Sequence, residues 1–264
     1  MPPADRSAAA MLPGFTVLFH KELLEARRSK RIIIFLVIMT GVLILVPVIS
    51  YLRIDNIGGG SRHQIDTDGM KGMLAGWSAL IGYLGSLMVI ASTVDAMSRE
   101  RAVGISAWIL TKPVSRPSYL IAKAAAHTAI NLITLVVIPT IVWLALTLML
   151  FADVPVARIL LASSILGIEV FFLTFVTIAL GVPFRSVTPI TLIALAVWFL
   201  PNFVPAISSL RWTFRVLPSY LPISAVSVAI NEMTAATFTV PLAAVVLTVA
   251  LTALALLQFE RQEL

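Results

Sequence analysis

Six apolar stretches, each about as long as a bilayer is thick, constrain this chain more than any other feature. They cover residues 32–51, 73–94, 124–151, 159–182, 189–210 and 238–259. A helix needs roughly 20 mostly apolar residues to cross a hydrocarbon core of about 30 Å. Because 59% of the chain is hydrophobic and only 12% is charged, a soluble fold would lack polar surface. The sequence therefore predicts an all-α membrane protein with six transmembrane helices.

The positions of Lys and Arg predict which loops face the cytoplasm, since short inner loops retain basic residues. With the N-terminus inside, 13 of the 19 basic residues lie on the inner side. We therefore expect a multi-pass protein of the cell inner (cytoplasmic) membrane with both termini in the cytoplasm. The first span follows about thirty residues that include acidic ones, so we expect an anchor and not a removable signal peptide. Topology and anionic headgroups account for the net charge of +6, so no nucleic-acid partner is predicted.

Residues 15–31 precede the first span and predict a helix that lies in the membrane interface. Phe15 and Phe19 fall on an apolar side, while Arg27 and Arg28 fall on the opposite, basic side. Glu22 interrupts the apolar side, where it would snorkel or pair with a neighbouring cation. The segment is either a basic stop signal that orients the first span or an elbow helix that moves with the following loop, and these readings are compatible.

The loop between the second and third spans, residues 98–123, combines a charged helix start, an apolar body and a proline-rich turn. A short helix of this kind can dock in a groove of a partner protein; the alternative is that it packs on its own bundle. A glycine break and a rigid Pro-Val-Ser-Arg-Pro turn favour docking. The residues assigned to this contact are Glu100, Arg101, Gly104, Trp108, Leu110, Pro113 and Arg116.

Polar groups and prolines within the spans indicate a substrate path or gating elements. Glu169 falls near the middle of the fourth span, where an ionisable group is costly unless it is paired or hydrated. Asn131 and His127 on the third span are its expected hydrogen-bonding partners if those two helices adjoin, and the carboxyl group either pins two helices or serves a substrate or proton. Pro201 and Pro205 mark sites where a helix can bend.

The stretch 212–238 predicts short re-entrant helices on the outer side, because its apolar run 223–230 is too short to cross the membrane. The alternative for its aromatic residues is an ordinary interfacial belt.

No catalytic, cofactor or metal site is predicted in this chain. It contains no phosphate-binding Gly-x-x-x-x-Gly-Lys-Ser/Thr loop, and it has no cysteine. His63 with Asp66 and Asp68 could hold a metal, but a solvated loop is the favoured interpretation. We therefore expect a non-enzyme. An intramembrane enzyme would need a cluster of reactive groups at membrane depth, and a secondary carrier would show several charges there.

The sequence resembles the permeases of type-2 ABC transporters from about Phe15 to Phe259. The resemblance is carried by the KELLEARRSK start, the Arg-Glu-Arg-x-x-Gly motif, the Leu-Thr-Lys-Pro-Val-Ser-Arg turn and the following Tyr-Leu-Ile-Ala-Lys. Carried over by position, Glu100, Arg101 and Gly104 match the start of the family's cytoplasmic coupling helix. Pro113, Ser115 and Arg116 match the turn after it. The family commonly has a second acidic residue beside the first; the nearest here is Asp95, which leaves the ion-pair partners on the ATPase open.

The resemblance implies an N-terminal tail (1–14), an interfacial elbow helix (15–31), a six-span permease domain (32–259) and a cytoplasmic tail (260–264). It further implies a permease subunit of an ATP-driven exporter, paired with a second copy or a paralogue. Two separate ATPase subunits would hold ATP and Mg, and this chain would hold neither. The alternatives are an ATP-independent carrier or channel, or a membrane anchor that recruits a soluble ATPase without transport.

Overall fold

Eight helices account for nearly all of the chain that can be described in the computed structural model, namely residues 13–55, 67–98, 114–184, 186–203 and 216–261. No strand occurs within these ranges. The helices are α1 (Phe15–Arg27), α2 (Lys30–Asp55), α3 (Thr67–Thr93), α4 (Arg116–Leu150), α5 (Val156–Leu180), α6 (Val187–Phe203), α7 (Leu221–Ala229) and α8 (Ala235–Arg261).

Five of the described helices, α2, α3, α4, α5 and α8, are long and apolar enough to cross a membrane. They contain or closely overlap the first four and the last of the predicted spans, which confirms these as membrane-length helices. The predicted fifth span, 189–210, is described only as far as residue 203. There α6 is 17 residues long, about 25 Å at 1.5 Å per residue. A sixth crossing stays a prediction.

The helix predicted for the membrane interface is shorter than expected from its sequence. It begins after Gly14, whose φ of 82° places it in the left-handed region, and it ends at Arg27. Arg28 and Ser29 form a bend, and the last two residues of the predicted 15–31 helix already belong to α2. The bend separates α1 from the first long helix, as the term elbow implies.

Helix α4 changes its winding near its middle. Residues 132–137 form a π-helical segment directly before Ile138 and Pro139. Proline has no N–H to donate to the carbonyl group four residues earlier, and a widened turn accommodates that loss. The proline at this position therefore has a local structural consequence.

Helix α5 lies at the centre of the bundle and packs against α3, α4, α7 and α8. Helix α2 packs on α3 and on the second half of α4. Trp77 of α3 stacks on Trp143 of α4 with ring centroids 5.1 Å apart, and both rings are buried. The stacked rings stabilise the packing of these two helices, because a buried aromatic pair adds stabilisation beyond the area it buries.

The short helix α7 lies beside the first half of α3. A Cβ atom on Gly82 would come within 2.6 Å of the Cβ atom of Pro222, so only glycine permits this approach. Beyond the other end of α7, the Lys71 ammonium lies 2.8 Å from a Glu232 carboxylate oxygen. Thus α7 runs from the middle of α3 back toward its start. We call this the α7 end of the bundle, and the opposite end, where α1 packs on α4, the α1 end.

Candidate functional site

Six of the seven residues predicted for partner contact lie outside the described residues. They are Glu100, Arg101, Gly104, Trp108, Leu110 and Pro113. Helix α3 and its following turn lead into this segment, and α4 leaves it, so the structure describes both of its ends.

The residues on either side of the 99–113 segment pack in one hydrophobic cluster at the α1 end, which we call the loop anchor. Its buried members come from α1, the turn after α3, the start of α4, the end of α5 and the end of α8. They are Leu18, Met97, Tyr119, Leu120, Ala122, Ala124, Ile178, Val182, Ala255 and Phe259.

Met97, which lies just before the 99–113 segment, packs against the end of α5. A Cβ atom on Gly181 would lie 2.6 Å from the Cβ atom of Met97, so the backbone of Gly181 forms part of the packing surface. Ser98 is buried as well. The chain therefore leaves the bundle from a closely packed position.

Val114 and Ser115, which follow the 99–113 segment and which we call its return, are held against the start of α1. Val114 lies so close to Gly14 that a Cβ atom there would be 2.7 Å from a Val114 methyl group. The Ser115 N–H donates to the Pro13 carbonyl oxygen at 3.4 Å. The Ser115 hydroxyl also accepts from the Ser118 N–H at 3.2 Å and so caps α4.

Arg116 connects this return to the last turn of α8. Its guanidinium donates to the Phe259 carbonyl oxygen at 3.1 Å, where a cation complements the exposed carbonyl groups of a helix C-terminus. The Tyr119 and Phe259 rings stack with centroids 6.1 Å apart. A displacement of the return would therefore reach α8 as well as α4.

A buried ion pair fastens α1 to α4. Glu22 Oε2 lies 2.8 Å from Lys123 Nζ, and the two side chains are 6% and 3% exposed. Lys21 approaches the other carboxylate oxygen at 2.9 Å, and His127 Nε2 lies 3.9 Å from Glu22 Oε2. Glu22, which interrupts the apolar side of α1, is thus paired with cations, and this is one of the two outcomes expected for it. Sequence reasoning missed Lys123 as the partner.

Beside this pair lies a polar cavity of about 340 Å³, bounded by α1, α2, α4 and the end of α3 with the turn that follows it. Arg31 and Asp95 form an ion pair of 2.9 Å in its wall. Ser92 donates to the Asn131 amide oxygen at 2.9 Å, and both residues line the cavity. Asp95 thus has a partner within this chain.

Glu169 is buried at the contact between α3 and α5, where it hydrogen-bonds Ser86. The Ser86 hydroxyl also contacts the Gly82 carbonyl oxygen. A hydroxyl group has a single hydrogen, and a carbonyl oxygen only accepts. A neutral carboxyl group, which can donate to Ser86, satisfies both contacts. The second Glu169 oxygen has no hydrogen-bond partner within the described ranges.

The expectation that Asn131 and His127 would bond to Glu169 is wrong. Asn131 instead bonds to Ser92 and donates to the Thr174 hydroxyl at 3.5 Å. Thr174 follows Glu169 by five residues on α5, about 7.5 Å along the helix axis. The two polar groups therefore lie at different depths, and His127 lies farther still toward the α1 end.

The remaining predicted positions are placed as follows. Pro201 lies in the last turn of α6, while Pro205 lies outside the described residues. Phe15 and Phe19 stack on the apolar side of α1 at 5.8 Å, and Arg27 is exposed. His63 and Asp66 also fall outside the described ranges, within which no three His, Asp or Glu side chains converge on a metal site.

A search of curated proteins found no match to this chain. A scan against protein families matched the ABC-2 family transporter protein over residues 16–264. This match includes the interfacial helix, every described long helix and the 99–113 segment. The chain therefore belongs to the ABC-2 transporter family and is a multi-pass membrane permease.

Proposed function

We propose that this chain is the transmembrane subunit of an ATP-driven exporter, moved by ATP hydrolysis in two separate ATPase subunits. Family membership supports a transport role, and the loop anchor supports the coupling step. A second copy of the chain, or a paralogue, completes the membrane part. ATP and Mg belong to the ATPase subunits.

The observation that carries the coupling proposal is the common anchorage of both ends of the 99–113 segment. An ATPase that grips this segment, through Glu100 and Arg101 with Trp108 and Leu110 in its groove, would push on Met97 at one end. At the other end it would push on Val114, and thereby on the starts of α1 and α4. The packing on both sides of the segment is close, since neither Gly14 beside Val114 nor Gly181 beside Met97 has room for a Cβ atom.

Helix α1 transmits the same movement. Its start contacts Val114, and its middle is tied to α4 through Glu22 and Lys123. Removing one partner of a buried ion pair costs several kcal/mol, so α1 and the first half of α4 would tilt together. The distribution of Lys and Arg supports an inner-membrane protein whose α1 end and both termini face the cytoplasm.

The substrate path or gate would involve two buried polar groups, Glu169 within the membrane and Asn131 nearer the α1 end, with bends at Pro201 and Pro205. Glu169 of α5 bonds Ser86 of α3. Ser86 lies one helical turn from Gly82, which contacts Pro222 of α7. The α7 end, in this proposal a re-entrant outer closure, would then respond to movement between α3 and α5.

The test is purification of the tagged chain from its host in mild detergent, with identification of co-purifying proteins and an assay of ATP hydrolysis. We expect a stoichiometric ATPase subunit. Glu100→Arg should abolish the coupling of hydrolysis to transport, because it reverses the charge at the predicted contact. Asp153→Arg makes a similar change at an exposed position at the α7 end and should leave coupling intact.

Two results would contradict this proposal. A preparation without an ATPase that retains transport would identify an ATP-independent carrier or channel. An ATPase that binds while no substrate moves would identify a recruiting anchor.

A further inference from the structure

The polar cavity at the α1 end has an accessible mouth and a buried floor. Arg28 and Arg31 line it and are exposed, whereas Lys123 and Asn131 line it and are each 2% exposed. Its volume of about 340 Å³ lies in the range of small-molecule sites. Neither the family match nor the proposed coupling step assigns it an occupant.

The cavity lies at the level of lipid headgroups. Helix α4 has 35 residues, about 52 Å at 1.5 Å per residue, which exceeds the hydrocarbon core of about 30 Å. Residues 131–150 alone are long enough to cross that core. Lys123 and His127 precede this part of α4, and the interfacial helix α1 covers them. The floor at Asn131 therefore marks the edge of the hydrocarbon.

The charges that line the cavity are balanced but not fully paired. Three cationic residues, Arg28, Arg31 and Lys123, face three acidic ones, Glu22, Glu25 and Asp95. The wall pairs Arg31 with Asp95 at 2.9 Å and Lys123 with Glu22 at 2.8 Å. Arg28 then has no ion-pair partner in the described part of the chain, and Glu25 has only the longer contact with Lys21 at 3.4 Å.

Arg28 and Glu25 differ from the paired groups in their surroundings. No carboxylate of the described part of the chain forms an ion pair with Arg28. Glu25 contacts only Lys21 among described cations, at 3.4 Å, and its side chain is 65% exposed. One guanidinium group and one carboxylate therefore remain at the mouth, an arrangement that suits a ligand with one negative and one positive group.

We propose that the cavity binds the headgroup of a zwitterionic phospholipid, with its phosphate on Arg28 and its ammonium on Glu25. The apolar surface of α2 continues from the mouth, where Ile33 and Val37 are 57% and 65% exposed. Acyl chains can lie along this surface while the headgroup enters the cavity. An anionic lipid without an ammonium group would leave Glu25 beside the phosphate, which is repulsive. The proposal does not depend on coupling to an ATPase.

The test is native mass spectrometry of the purified full chain after exchange into equal amounts of phosphatidylethanolamine and phosphatidylglycerol. We expect retained phosphatidylethanolamine on the wild type. Arg28→Gln should reduce its retention about five- to tenfold, because a charge-assisted hydrogen bond to phosphate is lost. Arg27→Gln removes the same charge from the neighbouring exposed residue, which does not line the cavity, and should have no effect.

Three results would overturn the assignment. Preferential retention of phosphatidylglycerol would show that the site recognises only the negative charge of a lipid headgroup. Equal losses in the Arg27 and Arg28 variants would show that lipid binds the basic surface and not the cavity. Binding of water-soluble glycerophosphoethanolamine, with no lipid retained, would identify a cytoplasmic solute as the occupant.

Discussion

The ion pair between Glu22 and Lys123 offers a quantitative test of how α1 is docked. Removing one partner of a buried pair costs about 3–5 kcal/mol, whereas replacing both by apolar residues is about neutral. Lys123→Met leaves Glu22 with Lys21 at 2.9 Å, so we expect a cost near 3 kcal/mol. Glu22→Leu takes the carboxylate from a lysine whose side chain is only 3% exposed, so we expect a cost near 5 kcal/mol. The double variant should be close to the wild type.

Opening of α1 can be measured by the reactivity of one introduced thiol, because the chain contains no cysteine. Leu18→Cys places that thiol on the buried side of α1, in the loop anchor and outside the lining of the polar cavity. If labelling occurs from the open state, a loss of 3 kcal/mol raises the labelling rate on the order of 100-fold. Lys30→Met, at an exposed position, serves as the control. Slow labelling in both single variants, or fast labelling in the double variant, would refute the argument that this pair docks α1.

Four further predictions concern close contacts and the buried carboxyl group. Gly14→Ala forces a left-handed residue to carry a Cβ atom against the loop return; it should destabilise the α1 end by more than 1 kcal/mol and reduce stimulated ATP hydrolysis. Gly82→Ala should displace α7 and lower the melting temperature, whereas Gly72→Ala, with open space around it, should leave it unchanged. Ser86→Ala should cost about 1–3 kcal/mol because Glu169 loses its partner, seen as a lower melting temperature. Glu169→Gln should alter transport with subunit assembly intact in size-exclusion chromatography, and a dissociated complex would favour a purely structural role.

The long helices could be predicted from sequence because their signal is local. About 20 apolar residues in a row are sufficient evidence of a membrane-length helix, whatever surrounds them. The end of α1 was harder to predict, because Arg28 and Ser29 carry no strong helix-stop signal such as proline or glycine. The positions of the charges predicted an interfacial helix but not the bend that ends it.

The partners of the buried polar groups could not be predicted in the same way. Glu22 and Lys123 are 101 residues apart in sequence, and Ser86 and Glu169 are 83 apart. Which residues meet depends on the relative depth of neighbouring helices, and hydropathy does not determine depth to within one turn. An acidic residue on an apolar helix face signals that a cation is needed, but it does not say which one.

Helix α5 links the two ends of the bundle. Its Ile178 belongs to the loop anchor, and nine residues earlier, about 13 Å along the axis, Glu169 bonds Ser86. One turn farther along α3, Gly82 contacts Pro222 at the start of α7. A rigid shift of α5 at the loop anchor must therefore either carry the Ser86 contact with it or break it. Because a buried carboxyl group without a partner is costly, carrying the contact is favoured, and α7 would move with it. In the proposed coupling the buried glutamate would be a structural pin between α3 and α5, and movement at the α1 end would reach α7 through this contact and through the direct packing of α5 on α7.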